Sequence, residues 1–181
     1  LLSILGMHLM NTASNNMMLM VMLFLIPAYV ILMAILHHRV PQRIYPVMIF
    51  LIGIPLLLMV SLRSGHIMGN DTHNEYYLFQ LVSNAQHWRV FIRSVLDSTL
   101  SITLLPAIYQ SLMNINPEYL FKLLYSLLFS ISPLVIYTIS KKYIGNFYSF
   151  LASFFFMSQF FFIWTAVHAR INTAVLFIAL T

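Results

Sequence analysis

The sequence predicts an all-α fold: a polytopic transmembrane helical bundle with an extracytoplasmic loop that carries an interfacial amphipathic helix. Nine Lys or Arg and four Asp or Glu are the charged residues among 181, and 61% of the chain is hydrophobic. Soluble domains carry about 25% charged residues, so water is not the main solvent of this chain. Its apolar residues are gathered into long runs, which is the pattern of helices that cross a bilayer.

The composition also excludes several other classes of protein. Disordered chains are polar and rich in charge, and a disulfide scaffold needs cysteine, which is absent from this sequence. The net charge of +5 is spread along the chain without a concentrated basic tract. We therefore expect no nucleic-acid partner.

Four apolar runs are long enough to cross a membrane, because about 20 residues span its hydrocarbon core. Four prolines lie within or at the starts of these runs, which is tolerated in a packed membrane bundle. The chain begins and ends inside apolar sequence, so we expect residues 1–181 to be a single membrane domain from a longer polypeptide, whose remainder is its partner. The predicted spans are 17–36, 44–62, 119–140 and 147–167, with a truncated fifth at 171–181.

The basic residues predict an orientation for the bundle. Arg39 and Arg43 lie in one short connection, and Lys141 and Lys142 lie in another that is two spans further along. Two spans return the chain to the same face, and positive charge in short loops favours the cytoplasm. The sequence thus predicts a multi-pass protein integral to the cell membrane, with the long loop 63–118 on the extracytoplasmic side.

The acidic residues are concentrated in that outer loop, where Asp71, Glu75 and Asp97 lie and Glu118 closes the segment. On a helix, Asp71 and Glu75 share a face and His73 turns away, whereas on an extended strand all three side chains point together. Two carboxylates can bind a hard divalent cation such as Mg²⁺ or Mn²⁺, or one of them can act as a general base. In the extended case, His73 adds an imidazole ligand.

A purely structural interpretation of the same segment is also open. Thr72 followed three residues later by Glu75 has the spacing of a capping box, in which each side chain satisfies a free N–H at a helix start. Asp71 would then favour the positive end of the helix dipole.

The outer loop also contains an amphipathic pattern. Trp88, Phe91, Ile92, Val95 and Leu96 recur at helical spacing and predict an interfacial helix that contacts membrane lipid. Arg89 and Arg93 lie on its polar face, where guanidinium groups can hold a phosphate or bind anionic headgroups nonspecifically, with Arg93 also able to pair with Asp97. Arg170, at the outer end of the fourth span, is either an interfacial anchor or a further phosphate contact.

The order of these parts resembles the amino-terminal part of the GT-C class of multi-pass membrane glycosyltransferases. It is still more similar to an archaeal family of predicted membrane proteins of unassigned function, in which an Asp-x-His-x-Glu-Tyr-Tyr loop occurs. The likeness extends over about residues 17–179. The residues that carry it are Gly-Asn-Asp-Thr-His-Asn-Glu-Tyr-Tyr at 69–77, Leu-Pro-Ala-Ile-Tyr at 105–109, Asn-Pro-Glu-Tyr at 116–119, Phe-Lys-Leu-Leu-Tyr at 121–125 and Lys-Lys-Tyr-Ile-Gly at 141–145.

This resemblance implies a transferase that uses a lipid-phosphate-linked sugar donor at the outer face of the membrane. Asp71 takes the role of base or metal-site carboxylate, with Glu75 as the second carboxylate. Many GT-C enzymes carry adjacent acidic residues here, whereas these two are four residues apart. The implied phosphate contacts are Arg89, Arg93 and Arg170, and the implied ligands of a Mg²⁺ or Mn²⁺ cofactor are Asp71, Glu75 and His73.

Two other functions remain open at this point. A transporter needs ionisable groups at mid-membrane, and the predicted spans have no charged residue near their centres, which counts against ion coupling. A non-catalytic assembly subunit needs only the capping and interfacial roles. We expect the isolated fragment to be inactive as an enzyme.

Overall fold

The computed structural model describes residues 1–88 and 95–181, and every regular element within these residues is helical. The prediction of an all-α fold is therefore confirmed for this part of the chain. The helices are α1 (Leu2–Ala13), α2 (Met17–Ile35), α3 (Ile44–Ser61), α4 (Asn70–Ala85), a short 3-10 helix (Val95–Ser98), α5 (Leu104–Met113), α6 (Pro117–Phe129), α7 (Ser132–Ser158), α8 (Phe160–Thr165) and α9 (Ala169–Leu180).

Among the residues that the structure describes, three helical segments are long and apolar enough to cross a membrane. They are α2, α3 and the stretch Pro117–Ser158, in which α6 and α7 follow one another, and their mean hydropathies are 2.7, 2.4 and 1.7. Most of the large apolar side chains of α2 are exposed, which suits a helix in contact with lipid rather than with water. These features support membrane association of the chain.

The helix boundaries follow some of the predicted spans and divide others. Helices α2 and α3 coincide with 17–36 and 44–62, and α9 covers most of the truncated fifth span. The predicted span 119–140 is divided between α6 and α7, where Pro133 lies in the first turn of α7 and lacks the N–H that a continuous helix needs. The span 147–167 is divided at Gln159, whose backbone is extended.

Helix α7 is itself two helical stretches joined at Gly145, whose φ of 78° and ψ of 174° are not helical. The Tyr137 hydroxyl donates a hydrogen bond to Asn146 Oδ1 at 3.1 Å. Residues nine apart lie on opposite faces of a straight helix, so this bond requires the chain to bend sharply at Gly145. Asn146 Nδ2 also donates to Gln42 Oε1 at 2.5 Å. The two basic connections therefore meet at one end of the bundle.

Replacing Gly145 with Ala should destabilise the protein by about 1–3 kcal/mol, because this φ/ψ region is essentially reserved for glycine. In the described part of the chain nothing lies within 4 Å of the new Cβ, so backbone strain alone accounts for the effect. Gly65→Ala is the matched control, since its Cβ also enters open space and its φ is not positive. Thermal unfolding of the detergent-solubilised protein measures both variants. Equal losses in the two would contradict the prediction.

Three hydrophobic clusters organise the described part of the bundle. The largest lies among α2, α3, α6, α7 and α8 and includes the fully buried Ile49, Leu57 and Phe150. A small one joins α1 to α2. The third joins α4, α6 and α9 at the end of the bundle where Arg170 lies. Its buried members are Ile67, Phe79, Ile102, Phe121, Tyr125 and Ala169.

Candidate functional site

The acidic segment 70–77 is the beginning of helix α4, which has Gly69 as its N-cap residue. Because the segment is helical, Asp71 and Glu75 lie on one face and His73 turns away from it. The capping-box interpretation is wrong, since the helix starts before Thr72. Instead, the Thr72 hydroxyl donates a hydrogen bond to the carbonyl oxygen of Val167 at 2.5 Å. This bond fixes the start of α4 against the turn between α8 and α9.

Glu75 makes the second contact between α4 and that turn. Its side chain is only 2% exposed, and its Oε2 accepts a hydrogen bond from the backbone N–H of Arg170 at 3.3 Å. The Arg170 Nε lies 3.6 Å from Oε1, and the backbone N–H of Ala169 also bonds to the carboxyl group. Since Ala169 and Arg170 are the first residues of α9, Glu75 caps free N–H groups at the positive end of that helix.

Burial raises the pKa of Glu75 above its ordinary value of 4.5. The hydrogen bond and the charge of Arg170 oppose this rise, and the negative charge of Asp71 adds to it. A carboxyl group whose pKa is higher in the folded state contributes most to stability below its unfolded pKa, and this contribution is lost as the pH rises through the folded value.

We therefore expect the free energy of unfolding to contain a component that falls as the pH rises from 4.5 through the raised pKa of Glu75. Glu75→Gln should remove this component, because the amide accepts the Arg170 hydrogen bond but does not titrate. Unfolding measured at a series of pH values between about 4 and 8 compares the two proteins. The same pH slope in the variant would count against the prediction.

Asp71 and His73 are both exposed, in contrast to Glu75. Asp71 lies one helical turn before Glu75, and its negative charge raises the pKa of Glu75. The side chain of Arg170, which contacts Glu75 from α9, is 42% exposed. An exposed carboxylate and a partly exposed guanidinium thus both interact with the buried carboxyl group of Glu75. We call Asp71, Glu75 and Arg170 the polar triad.

The polar triad and its surroundings do not fit a divalent cation. Within residues 1–88 and 95–181, no group of three or more His, Cys, Asp or Glu side chains is placed to hold a metal ion. His73 lies on another face of α4, and a metal ion near Glu75 would compete with the cationic Arg170. The ligand set Asp71, Glu75 and His73 required an extended segment, and the helix removes that geometry.

Lys122 is a buried cation that the sequence pattern did not identify as part of a site. It is 7% exposed, and its Nζ donates a hydrogen bond to the Ser64 carbonyl oxygen at 2.7 Å. With Ser61, Thr72 and Tyr125 it lines a cavity of about 20 Å³, which is room for about one water molecule. The cavity is too small for a sugar. A lysine one turn inside an apolar run was the only sequence signal.

The predicted phosphate ligands Arg89 and Arg93 lie outside the described residues, as does most of the predicted amphipathic helix. At its edges, the Trp88 Nε1 donates a hydrogen bond to the Asp97 carbonyl oxygen at 3.0 Å, and Val95–Ser98 form a 3-10 turn. Arg170 is thus the one predicted phosphate ligand that can be placed beside Asp71 and Glu75.

In residues 1–88 and 95–181, the fold and the polar triad define an all-helical class of protein with three helical segments able to cross a membrane and with the polar triad at one end. No protein-family model, curated protein or solved structure matches this chain. The resemblance to the GT-C glycosyltransferases and to the archaeal family therefore stays a prediction from the sequence.

Proposed function

We propose that this chain is the amino-terminal membrane part of a glycosyltransferase that takes its sugar from a lipid-phosphate donor at the extracytoplasmic face. The observation that supports this function best is the polar triad, in which an accessible carboxylate and a half-exposed guanidinium both interact with the buried Glu75. Sugar transfer from a lipid phosphate needs a base for the acceptor and a cation for the leaving phosphate, and this end of the bundle offers one of each.

Asp71 is the base in this proposal. It is exposed, so an acceptor hydroxyl can reach it, and a carboxylate within hydrogen-bond distance can remove the hydroxyl proton as the reaction proceeds. The acceptor oxygen forms a new bond to the anomeric carbon, the bond from that carbon to the phosphate oxygen breaks, and the proton passes to Asp71. The lipid phosphate leaves with the electron pair of the broken bond.

Arg170 is the phosphate-binding residue in this proposal. A guanidinium group has five N–H donors in a planar fork that matches phosphate oxygens. The carboxyl group of Glu75 lies beside the Arg170 Nε and also caps the start of α9, the helix that carries Arg170. These two contacts fix the position of Arg170. Glu75 thus acts as a positioning residue rather than as a base, since its 2% exposure leaves no room for an acceptor. Arg89 and Arg93 are further phosphate contacts in this proposal.

Sugar transfer by membranes that contain the full-length polypeptide tests this function. The membranes receive an acceptor together with either a radiolabelled lipid-phosphate sugar or the corresponding nucleotide sugar. We expect label to pass to the acceptor from the lipid donor alone. Transfer from the nucleotide sugar alone would contradict the donor class. Movement of solutes across these membranes without any sugar transfer would show a transporter instead of an enzyme. The absence of both activities would favour an assembly subunit.

A further inference from the structure

The opposite end of the bundle carries a second polar region that the proposed function does not use. It consists of the connection between α2 and α3, residues 36–43, and the bend of α7 around Gly145, which we call the basic end. Helix α3 has 18 residues and separates the basic end from the acidic segment. At 1.5 Å per residue this distance is about 27 Å, close to the thickness of a bilayer core.

The basic end has a strong excess of positive charge. Arg39, Arg43, Lys141 and Lys142 are all exposed there. All four acidic residues of the chain lie between positions 71 and 118, so the sequence contributes no carboxylate to either connection. Because no carboxylate in these segments neutralises the four cations, they attract anions to this end of the bundle.

A cavity that is open to the outside lies between the two connections. Its volume is about 410 Å³, within the range of about 300–1,000 Å³ that small-molecule pockets occupy. Its polar lining includes His37, His38, Gln42 and Asn146, and Tyr45 and Tyr148 also contribute to the wall. This lining offers imidazole and amide N–H donors, which suit an anionic or strongly polar ligand.

Specific contacts hold the cavity walls in place. The hydrogen bond from Asn146 to Gln42 joins the two connections directly, and the Tyr137 hydroxyl bonds to the same Asn146. The ring of His37 stacks on Phe147 with 4.5 Å between centroids. The cavity is thus built by long-range contacts between two chain segments and is not a chance gap beside one loop.

Exposed aromatic and aliphatic side chains line this cavity or are sequence neighbours of the residues that line it. Tyr143 is 82% exposed, Tyr148 is also exposed, and so are Ile44 and Ile144. Tyrosines are enriched at the headgroup level of membranes, where the ring contacts hydrocarbon and the hydroxyl contacts water. The apolar surface suits acyl chains directly beside a polar pocket in a region of positive charge, which is a combination that a free inorganic anion does not need.

We propose that the basic end binds the phosphate headgroup of an anionic membrane phospholipid in this cavity, with its acyl chains against the neighbouring apolar surface. The cations at 39, 43, 141 and 142 lie in the connections that form the cavity but do not line it, and they attract the anion from outside the cavity. The amide and imidazole groups of the lining supply hydrogen bonds. Clusters of Lys and Arg next to membrane-spanning helices recognise anionic lipids in this way. The site is separate from the polar triad and is independent of sugar transfer.

Binding of a fluorescent short-chain phosphatidylglycerol to the detergent-solubilised full-length polypeptide tests the proposal. Phosphatidylcholine with the same chains and free glycerol phosphate serve as competitors. We expect unlabelled phosphatidylglycerol to displace the probe at least tenfold more effectively than either competitor, because one lacks net charge and the other lacks acyl chains. Glycerol phosphate competing as well as the lipid would overturn the assignment to a lipid, and equal competition by phosphatidylcholine would overturn the charge recognition.

The double variant Lys141→Gln/Lys142→Gln removes two charges from the basic end and should weaken binding of the probe roughly tenfold or more. Arg63→Gln is the matched control, since Arg63 is also exposed but follows the far end of α3. A loss of binding confined to the double variant, with unchanged thermal unfolding, supports the site. Unchanged binding in the double variant, or an equal loss in Arg63→Gln, overturns it.

Discussion

Replacing Asp71 with Asn should lower the rate of sugar transfer by about 100- to 10,000-fold, the usual contribution of a general base. Asparagine is nearly the same size as aspartate but cannot take the acceptor proton at neutral pH. Since Asp71 is exposed and lies in the first turn of α4, its loss removes a favourable interaction with the helix dipole and the repulsion between Asp71 and the buried Glu75. We expect a change in thermal unfolding of about 1 kcal/mol or less.

Glu118→Gln is the charge-matched control for Asp71→Asn. Glu118 is also acidic and lies in the first turn of its helix, α6, where its carboxylate is 3.5 Å from the Nδ1 of His66. If Asp71 acts as the base, Glu118→Gln retains most of the transfer rate and Asp71→Asn does not. Transfer at the wild-type rate by Asp71→Asn would remove Asp71 from the mechanism, and equal losses in both would point to a general effect of charge.

The sequence predicted the helices whose limits are marked by polar residues and not those that end inside apolar sequence. Helices α2 and α3 are separated by a short basic connection, so their bounds could be predicted to within a residue or two. The breaks after Phe129 and at Gln159 lie within long apolar runs, where average hydropathy does not change. Pro133 was the local signal for the first break, and Gln159, a single polar residue in an apolar run, was the signal for the second.

The position of the candidate site in the chain could be predicted from the sequence, but the contact between Glu75 and Arg170 could not. The rarity of carboxylates in this chain directs attention to Asp71 and Glu75, and helical spacing predicts that they share a face. Arg170 lies 95 positions beyond Glu75, and no local pattern links them. Which carboxylate is buried and which is exposed depends on the packing of α9 against α4, so the different roles of the two residues require the tertiary structure.

Replacing Glu75 with Ala should lower the free energy of unfolding by about 1–3 kcal/mol, the cost of leaving buried hydrogen-bond donors without a partner. The variant would leave the Arg170 N–H without its bond to the carboxyl group and would open space beside the cluster formed by α4, α6 and α9. Thermal or denaturant unfolding in detergent measures the loss.

Glu75→Gln distinguishes the capping role of Glu75 from its charge. The amide oxygen accepts the same hydrogen bond from α9 without the cost of burying a negative charge, so Glu75→Gln should lie within about 1 kcal/mol of the wild type at neutral pH. A stable Glu75→Gln and an unstable Glu75→Ala place the contribution of Glu75 in the hydrogen bonds at the start of α9. If both variants were equally unstable, the ionic attraction to Arg170 would be the dominant contribution, and the arginine would depend on a charged partner to keep its position beside Asp71.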